Sequence, residues 1–195
     1  LTAALCWLGL RRGTPSELGE REPLSTVLRT GVQAARANPR IWFAYMLQFV
    51  SFADRIVIGT FFSARLQQTA IANGQTVAEA VSAATKPFVI ANSAGLLFAI
   101  FFGLALDKMN RVKAGVVAMA IAGVGYMAGG FVGDPQSEWI TLVAILLGTG
   151  QICAIIASQT VLGQEAPQDV RGAVFGLAGV FASCGILFTT SVGGW

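Results

Sequence analysis

The stretch FGLALDKMNRVK, residues 102–113, places a cluster of charges between two long apolar runs, 88–106 and 114–133. The charged residues are Asp107, Lys108, Arg111 and Lys113. A helix needs about 20 apolar residues to cross the ~30 Å hydrocarbon core of a bilayer, and both flanking runs are about that long. The stretch therefore predicts a short charged turn between two membrane-spanning helices.

Apolar runs of this length recur along the chain. Five of them are long enough to span a membrane: 41–64, 88–106, 114–133, 139–162 and 172–195. They lack the period-two alternation of membrane β-strands, and residues 1–10 look like the end of a preceding transmembrane helix. We therefore predict an all-α polytopic membrane protein with about five complete transmembrane helices, and we expect the chain to be a fragment of a longer protein.

The composition favours a membrane protein and argues against several kinds of site. Hydrophobic residues make up 54% of the chain and charged residues 12%, against about 25% charged in soluble domains. The sequence has no histidine and no Cys-x-x-Cys pair, so we predict no metal site and no cofactor. No nucleophile stands beside a base and no glycine loop follows a strand. We expect neither an enzyme nor a nucleic-acid partner, and we expect membrane lipid as a partner.

The basic residues are unevenly distributed among the connectors. Most of them lie in three connectors on one side of the membrane: 11–40, 107–113 and 163–171. The connectors on the other side, 65–87 and 134–138, carry only Arg65 and Lys86. Because cytoplasmic loops carry the excess of Lys and Arg, the first three are predicted to be cytoplasmic, in a multi-pass protein of the plasma (inner) membrane.

Two connectors have helical patterns of their own. STVLRTGVQAARAN, residues 25–38, has its apolar residues on one side and predicts an amphipathic helix, either a simple linker or a lipid-binding surface. In the outer connector, Thr76 and Glu79 have the spacing of a capping box. That box predicts a small external helix that ends before Pro87.

The opening stretch resembles a family motif. The pattern Gly103-x-x-x-Asp107-Lys108-x-x-Arg111 is similar to the loop motif of the major facilitator superfamily of transporters, which occurs between helices 2 and 3 and, weaker, between helices 8 and 9. GQEAPQDVRGAVFG, 163–176, resembles the family's approach to helix 11, and NPRIW, 38–42, its approach to helix 7.

The resemblance implies the place of this chain in a larger transporter. It implies helices 7–11 of a twelve-helix protein: the end of helix 6 in 1–10, the central cytoplasmic loop in 11–40 and the C-terminal-half bundle in 41–195. The partner would be the N-terminal half of the same transporter. The cytoplasmic gate would use Gly103, Asp107, Lys108, Arg111, Glu165, Arg171 and Gly172. The alternative, that these residues only end helices and set topology, stays open.

Two charges lie deep in the first span. Asp54 and Arg55 fall near the bilayer centre, where each costs about 2.5–3.5 kcal/mol to insert. At 100° per residue, Gln48, Ser51 and Arg55 share a narrow face, and we infer that this face lines the central cavity. Asp54 points ~100° away from Arg55, toward the cavity edge or a neighbouring helix. Three roles remain open: an anion site at Arg55, proton coupling at Asp54, or structural bonding by both.

Amide side chains in other spans are further candidates for substrate contact. Gln151 and Gln159 lie on one stripe of the fourth span, where facing lipid would be costly, and Asn92 lies in the second span. Hydrogen bonding between helices is the alternative. Taken with the resemblance, these residues predict secondary active transport of a small solute by alternating access, with proton coupling as one hypothesis. The alternatives are a non-transporting membrane sensor or subunit, or a membrane-embedded enzyme.

Overall fold

The computed structural model describes residues 23–132 and 137–193. The helices in this part of the chain are α1 Leu24–Ala37, α2 Pro39–Ala72, α3 Val77–Leu106, α4 Arg111–Phe131, α5 Glu138–Glu165 and α6 Arg171–Gly193. All regular secondary structure in these ranges is helical, and α2–α6 are each long and apolar enough to cross a membrane. The predicted all-α polytopic architecture is confirmed. The predicted end of a preceding helix, 1–10, lies outside the described residues.

Asparagine caps begin two of the spanning helices. The Asn38 side chain accepts a hydrogen bond from the Arg40 backbone N–H at 3.0 Å, and Pro39 occupies the first helical position. The Asn110 side chain likewise accepts from the backbone N–H of Val112 at 3.0 Å. These bonds satisfy N–H groups that have no partner within the helix. The charged stretch therefore forms a tight turn between Leu106 and Arg111, where α4 begins.

The prediction of a separate external helix was wrong. The capping box is present, since Thr76 Oγ1 accepts from the Glu79 N–H at 3.4 Å and Glu79 Oε2 accepts from the Thr76 N–H at 2.9 Å. The helix does not end before Pro87, however, but runs without a break to Leu106. It continues because one stripe of α3 packs inside the bundle on both sides of the proline: Ala80, Ala84, Pro87, Ala91 and Gly95. That packing offsets the hydrogen bond that proline cannot donate.

The first span is also longer than predicted. Helix α2 runs to Ala72 rather than to about residue 64, and it contains a π-helical segment, Val57–Phe62. At 1.5 Å per residue its length is about 51 Å, more than the hydrocarbon core requires. The outer connector between α2 and α3 is therefore reduced to residues 73–76.

Helix α5 occupies the middle of the bundle. It packs against α2, α3 and α4, while α6 packs mainly against α2. Glycines permit the closest approaches: a Cβ on Gly148 would overlap the Ala91 carbonyl of α3, and one on Gly150 would overlap the backbone of α4 at Ala122. Such contacts between small residues let membrane helices approach closely.

Helix α1 lies against the bundle rather than apart from it. Its buried residues are Gly31 and Ala35, and it packs on α6, where Gly31 faces Ala173 and Leu177. The Tyr45 hydroxyl of α2 donates to the Gly31 carbonyl at 3.4 Å. The amphipathic pattern of 25–38 thus covers one end of the bundle, and its polar face is turned outward.

Candidate functional site

Asp54 and Arg55 are adjacent in α2 but occupy different environments. Asp54 is 6% exposed, whereas Arg55 is on the exposed surface of the bundle. Both lie about 23 Å along α2 from its first residue, which is close to the middle of the helix. The two charges therefore sit at mid-depth and point in different directions.

Asp54 contacts a neighbouring helix, which is one of the two environments predicted for it; the other was the edge of the cavity. The Tyr126 hydroxyl of α4 donates a hydrogen bond to Asp54 Oδ1 and also lies 3.4 Å from the Asp54 backbone oxygen. Asp54 Oδ2 is buried and has no hydrogen-bond partner among the described residues. One carboxylate oxygen is thus bonded across the helix interface, and the other is available to carry a proton.

Asp54 belongs to a layer of buried polar side chains between α2, α4 and α5. Gln151 Nε2 donates to the Ser51 backbone oxygen at 3.3 Å. Side-chain oxygens of two further members, Gln48 and Ser51, are buried without a partner in the described ranges. Unpaired buried polar atoms are costly, so such a layer is unusual for a purely structural contact. We call it the polar layer: Gln48, Ser51, Asp54, Tyr126 and Gln151.

The structure divides the face that the sequence analysis assigned to the cavity. Gln48 and Ser51 are buried at 2% and 0% exposure, whereas Arg55 is exposed. Helix α5 reaches Ser51, whose backbone oxygen accepts a hydrogen bond from Gln151, whereas Arg55, one turn further along, is exposed. Of Gln48, Ser51 and Arg55, only Arg55 lies on an open surface. The spacing of 100° per residue places the three on one side of α2, but it does not predict where a crossing helix separates from α2.

The other predicted amides are similarly separated. Gln151 is buried in the polar layer, but Gln159, two turns away on α5, is exposed. Asn92 is half-buried, and its Nδ2 donates to the Phe88 carbonyl of its own helix at 2.8 Å. The predicted stripe of α5 therefore does not present both glutamines to one site.

Arg55 and Asn92 lie at the same depth on adjacent helices. A Cβ on Gly59 would be 3.4 Å from the Phe88 ring, so these two residues face each other across α2 and α3. One turn back along α2 is Arg55, and one turn on along the antiparallel α3 is Asn92. In residues 23–132 and 137–193 the only ion pair joins Arg40 and Glu165, so Arg55 has no carboxylate partner there.

The predicted gate residues fall into two groups. Glu165 and Arg111 line one small cavity of about 90 Å³, together with Arg40. Arg40 Nη1 lies 2.7 Å from Glu165 Oε1, and Asn38 Nδ2 donates to Glu165 Oε2 at 2.7 Å. Arg40 and Asn38 were not among the predicted gate residues, although both belong to the NPRIW motif. This group ties together the ends of α2, α4 and α5.

The second group faces outward. Asp107, Lys108, Arg171 and Gly172 are exposed, and none of the three charged side chains has a hydrogen-bond partner in the part of the chain that the structure describes. Gly103 is half-buried, and a Cβ added there would meet nothing within 4 Å. These residues are exposed and can contact another protein segment at the predicted cytoplasmic side.

A crevice leads toward the polar layer from the other end of the bundle. Its volume is about 240 Å³, and it lies between the π-helical part of α2 and helix α4. The lining includes Phe61, Phe62, Arg65, Tyr126 and Gly129. Tyr126, whose hydroxyl is bonded to Asp54, therefore connects this crevice with the carboxylate.

A bundle of five membrane-spanning helices with charged and polar groups at mid-depth defines a polytopic membrane protein. Comparison with models of protein families identifies the family to which the chain belongs. The chain belongs to the Major Facilitator Superfamily, whose family model matches residues 1–190. The predicted family resemblance is confirmed.

Curated relatives are similar at low identity. Magnetosome protein MamH of Paramagnetospirillum magneticum is 26% identical over 166 residues, which is 82% of this chain and 37% of the relative. Magnetosome protein MamZ of Magnetospirillum gryphiswaldense is 22% identical over 177 residues, 91% of this chain and 27% of the relative. The chain thus spans about a third or less of the length of these relatives. No solved structure matches it.

Proposed function

We propose that this chain forms the C-terminal half of a secondary active transporter that moves a small solute by alternating access. The observation that carries the proposal is the Asp54–Arg55 pair at mid-depth of α2, with one residue buried and the other exposed. Transporters of this kind place substrate and coupling sites near the bilayer midplane between two helical bundles. Charged residues at that depth mark such pathways because their insertion is costly.

Asp54 is the proposed coupling residue. Its Oδ2 is buried without a partner, and the crevice that reaches Tyr126 offers a route by which a proton approaches from one side. Burial disfavours the charged form of a carboxyl group, so a change in its exposure during transport would drive proton uptake or release. This is the physical basis for coupling to a proton gradient.

Arg55 and Asn92 are the proposed substrate contacts on the open surface. Gln48 and Gln151 are proposed to act from within the polar layer, where they adjust its hydrogen bonding as the helices move. Gln159 is exposed about 9 Å from the end of α5, so its proposed contact would lie nearer the membrane surface.

The gate residues are proposed to bind the N-terminal half of the transporter. The outward-facing charged side chains of Asp107, Lys108 and Arg171 form no ion pair within the described ranges. Such unpaired charges are expected on a surface that binds another protein segment. Each such surface pair contributes about 0–1 kcal/mol, so several would bias the two states without locking either. The same basic residues support a cytoplasmic location for this side, in the plasma (inner) membrane.

The proposal is tested with the full-length protein in liposomes that contain a pH-sensitive dye. Addition of a transported solute from a chemical library should move protons with it in the wild type. Asp54→Asn should abolish proton movement while solute exchange continues, because exchange needs no change of protonation. Glu138→Gln, which alters an exposed acid at the start of α5, is the matched control. Undiminished proton movement in Asp54→Asn would contradict the coupling role.

The names of the relatives favour a second candidate location, a magnetosome membrane. A fluorescent fusion of the full-length protein in its own cells distinguishes the two. Signal around the whole cell envelope supports the plasma membrane, whereas signal restricted to internal particles supports the magnetosome.

A further inference from the structure

We propose that Asp54 and Arg55 form one coupled site for a proton and an oxyanion, so that the transporter carries a small carboxylate or a similar oxyanion together with a proton. This inference rests on the proposed function and names its substrate class. It is carried by the different surroundings of two adjacent residues of opposite charge.

Arg55 is a guanidinium at mid-depth with no carboxylate partner in the described part of the molecule, and it lies on an exposed surface of the bundle. A planar guanidinium matches the two oxygens of a carboxylate or similar oxyanion and binds them with two parallel hydrogen bonds. An anionic solute would therefore supply the missing partner.

Asp54 is not that partner, because its carboxylate is turned away from Arg55 and into the polar layer, where Oδ1 accepts a hydrogen bond from Tyr126. The side chain that contacts it is Tyr126 from α4, and the nearest polar group of α5, Gln151, is uncharged and bonds the Ser51 backbone oxygen. Among the described residues, Arg55 is thus the nearest formal charge along α2, since Arg65 lies about 16 Å further out.

The charge of Asp54 affects the binding of an anion at Arg55. When Asp54 is ionised, its negative charge largely cancels the attraction that the positive charge of Arg55 exerts on an approaching anion. When Asp54 is protonated, the positive charge of Arg55 stands alone. For a separation of roughly 8 Å and an effective dielectric constant of about 20–30, a unit charge would change anion affinity by roughly ten- to thirtyfold.

The coupling fixes the direction of linkage. By thermodynamic reciprocity, an anion on Arg55 favours a proton on Asp54 by the same factor. The two ligands therefore load together and leave together, with the proton on Asp54 Oδ2 and the anion on the guanidinium. For a monovalent anion this is electroneutral symport of one proton and one anion.

The experiment measures ligand-induced stabilisation of the purified full-length transporter during thermal unfolding. The probes are lactate, pyruvate and sulfate, whose charges do not change between mildly acidic and mildly alkaline pH. Choline chloride at equal ionic strength and glucose are the controls. A ligand that binds only the folded state raises the unfolding temperature according to its concentration and affinity, so the titration gives a Kd at each pH.

In the wild type, at least one oxyanion should bind roughly tenfold more tightly at acidic pH. Asp54→Asn should bind it tightly at both values of pH, because asparagine is neutral like the protonated acid. Arg55→Gln should not bind it, and Arg36→Gln, which changes an exposed arginine of α1, should behave as the wild type. If Arg55→Gln does not fold, Arg55→Lys keeps the charge and should show weaker binding with the pH dependence retained.

Three results would overturn the inference: no stabilisation by any of the oxyanions, equal affinity at both values of pH in the wild type, or full affinity in Arg55→Gln. Proton-coupled flux of a neutral or cationic solute in liposomes, without oxyanion binding, would refute the inference and keep the proposed function. Proton-linked oxyanion binding without any flux would refute the proposed function instead.

Discussion

Arg40 Nη1 lies 2.7 Å from Glu165 Oε1, a contact between residues 125 positions apart in the chain. It joins the first turn of α2 to the last residue of α5, and the Asn38 amide holds the second oxygen of the same carboxylate. The cap that begins α2 and the acid that ends α5 therefore act as one junction at the predicted cytoplasmic side.

This junction should contribute little to stability. The Arg40 side chain is 59% exposed, and exposed ion pairs are worth about 0–1 kcal/mol. We expect a double-mutant cycle of Arg40→Gln and Glu165→Gln, measured by unfolding of the full-length protein, to give a coupling energy below about 1 kcal/mol. A coupling of several kcal/mol would show that the pair is desolvated by a part of the protein outside the described residues.

Removal of the Tyr126 hydroxyl should destabilise the bundle more strongly. Tyr126→Phe leaves Asp54 Oδ1 buried without its donor, which should cost about 1–3 kcal/mol. Tyr45→Phe is the control, since that hydroxyl makes only a long bond of 3.4 Å to Gly31. The measurement is the unfolding free energy of both variants, and equal losses would argue against a special contact between Tyr126 and Asp54.

The contact between α3 and α5 should tolerate no side chain at Gly148. An added Cβ would overlap the Ala91 carbonyl, so Gly148→Ala should force the helices apart and cost about 1–3 kcal/mol. Gly163 lies in the same helix with nothing within 4 Å of an added Cβ. Gly163→Ala should be neutral or stabilising by up to about 1 kcal/mol, because alanine favours the helix. Thermal unfolding of the two variants checks the difference, and a similar loss in both would contradict the packing.

The docking of α1 should depend on Gly31. A Cβ there would lie 3.1 Å from the Ala173 oxygen and from Leu177, so Gly31→Leu should release α1 from α6. Trypsin should then cut more rapidly at Arg29 and Arg36, because released backbone is more accessible to proteases. Gln33→Leu changes an exposed position of the same helix and should leave the cleavage rate unchanged. An unchanged rate in Gly31→Leu would mean that α1 is held by other contacts.

The sequence by itself determined the helical architecture, the family and the local helix signals. Apolar runs about 20 residues long predict membrane helices wherever they occur, since the bilayer requires each span to satisfy its own backbone. The Thr76–Glu79 capping box was predicted correctly because all its atoms lie within one turn. The charged turn after Leu106 likewise depends only on neighbouring residues.

The tertiary structure decided what each polar residue faces. Pro87 lies inside a helix because the bundle buries α3 on both sides of it, and Ser51 is buried where Gln151 of α5 bonds its backbone oxygen. Tyr126 meets Asp54 from 72 positions away, and no periodicity in α2 predicts that partner. The physical reason is that the path of a neighbouring helix, not the angle between residues on one helix, determines which side chains are enclosed. The same path separates Asp54 from Arg55 and leaves the arginine exposed.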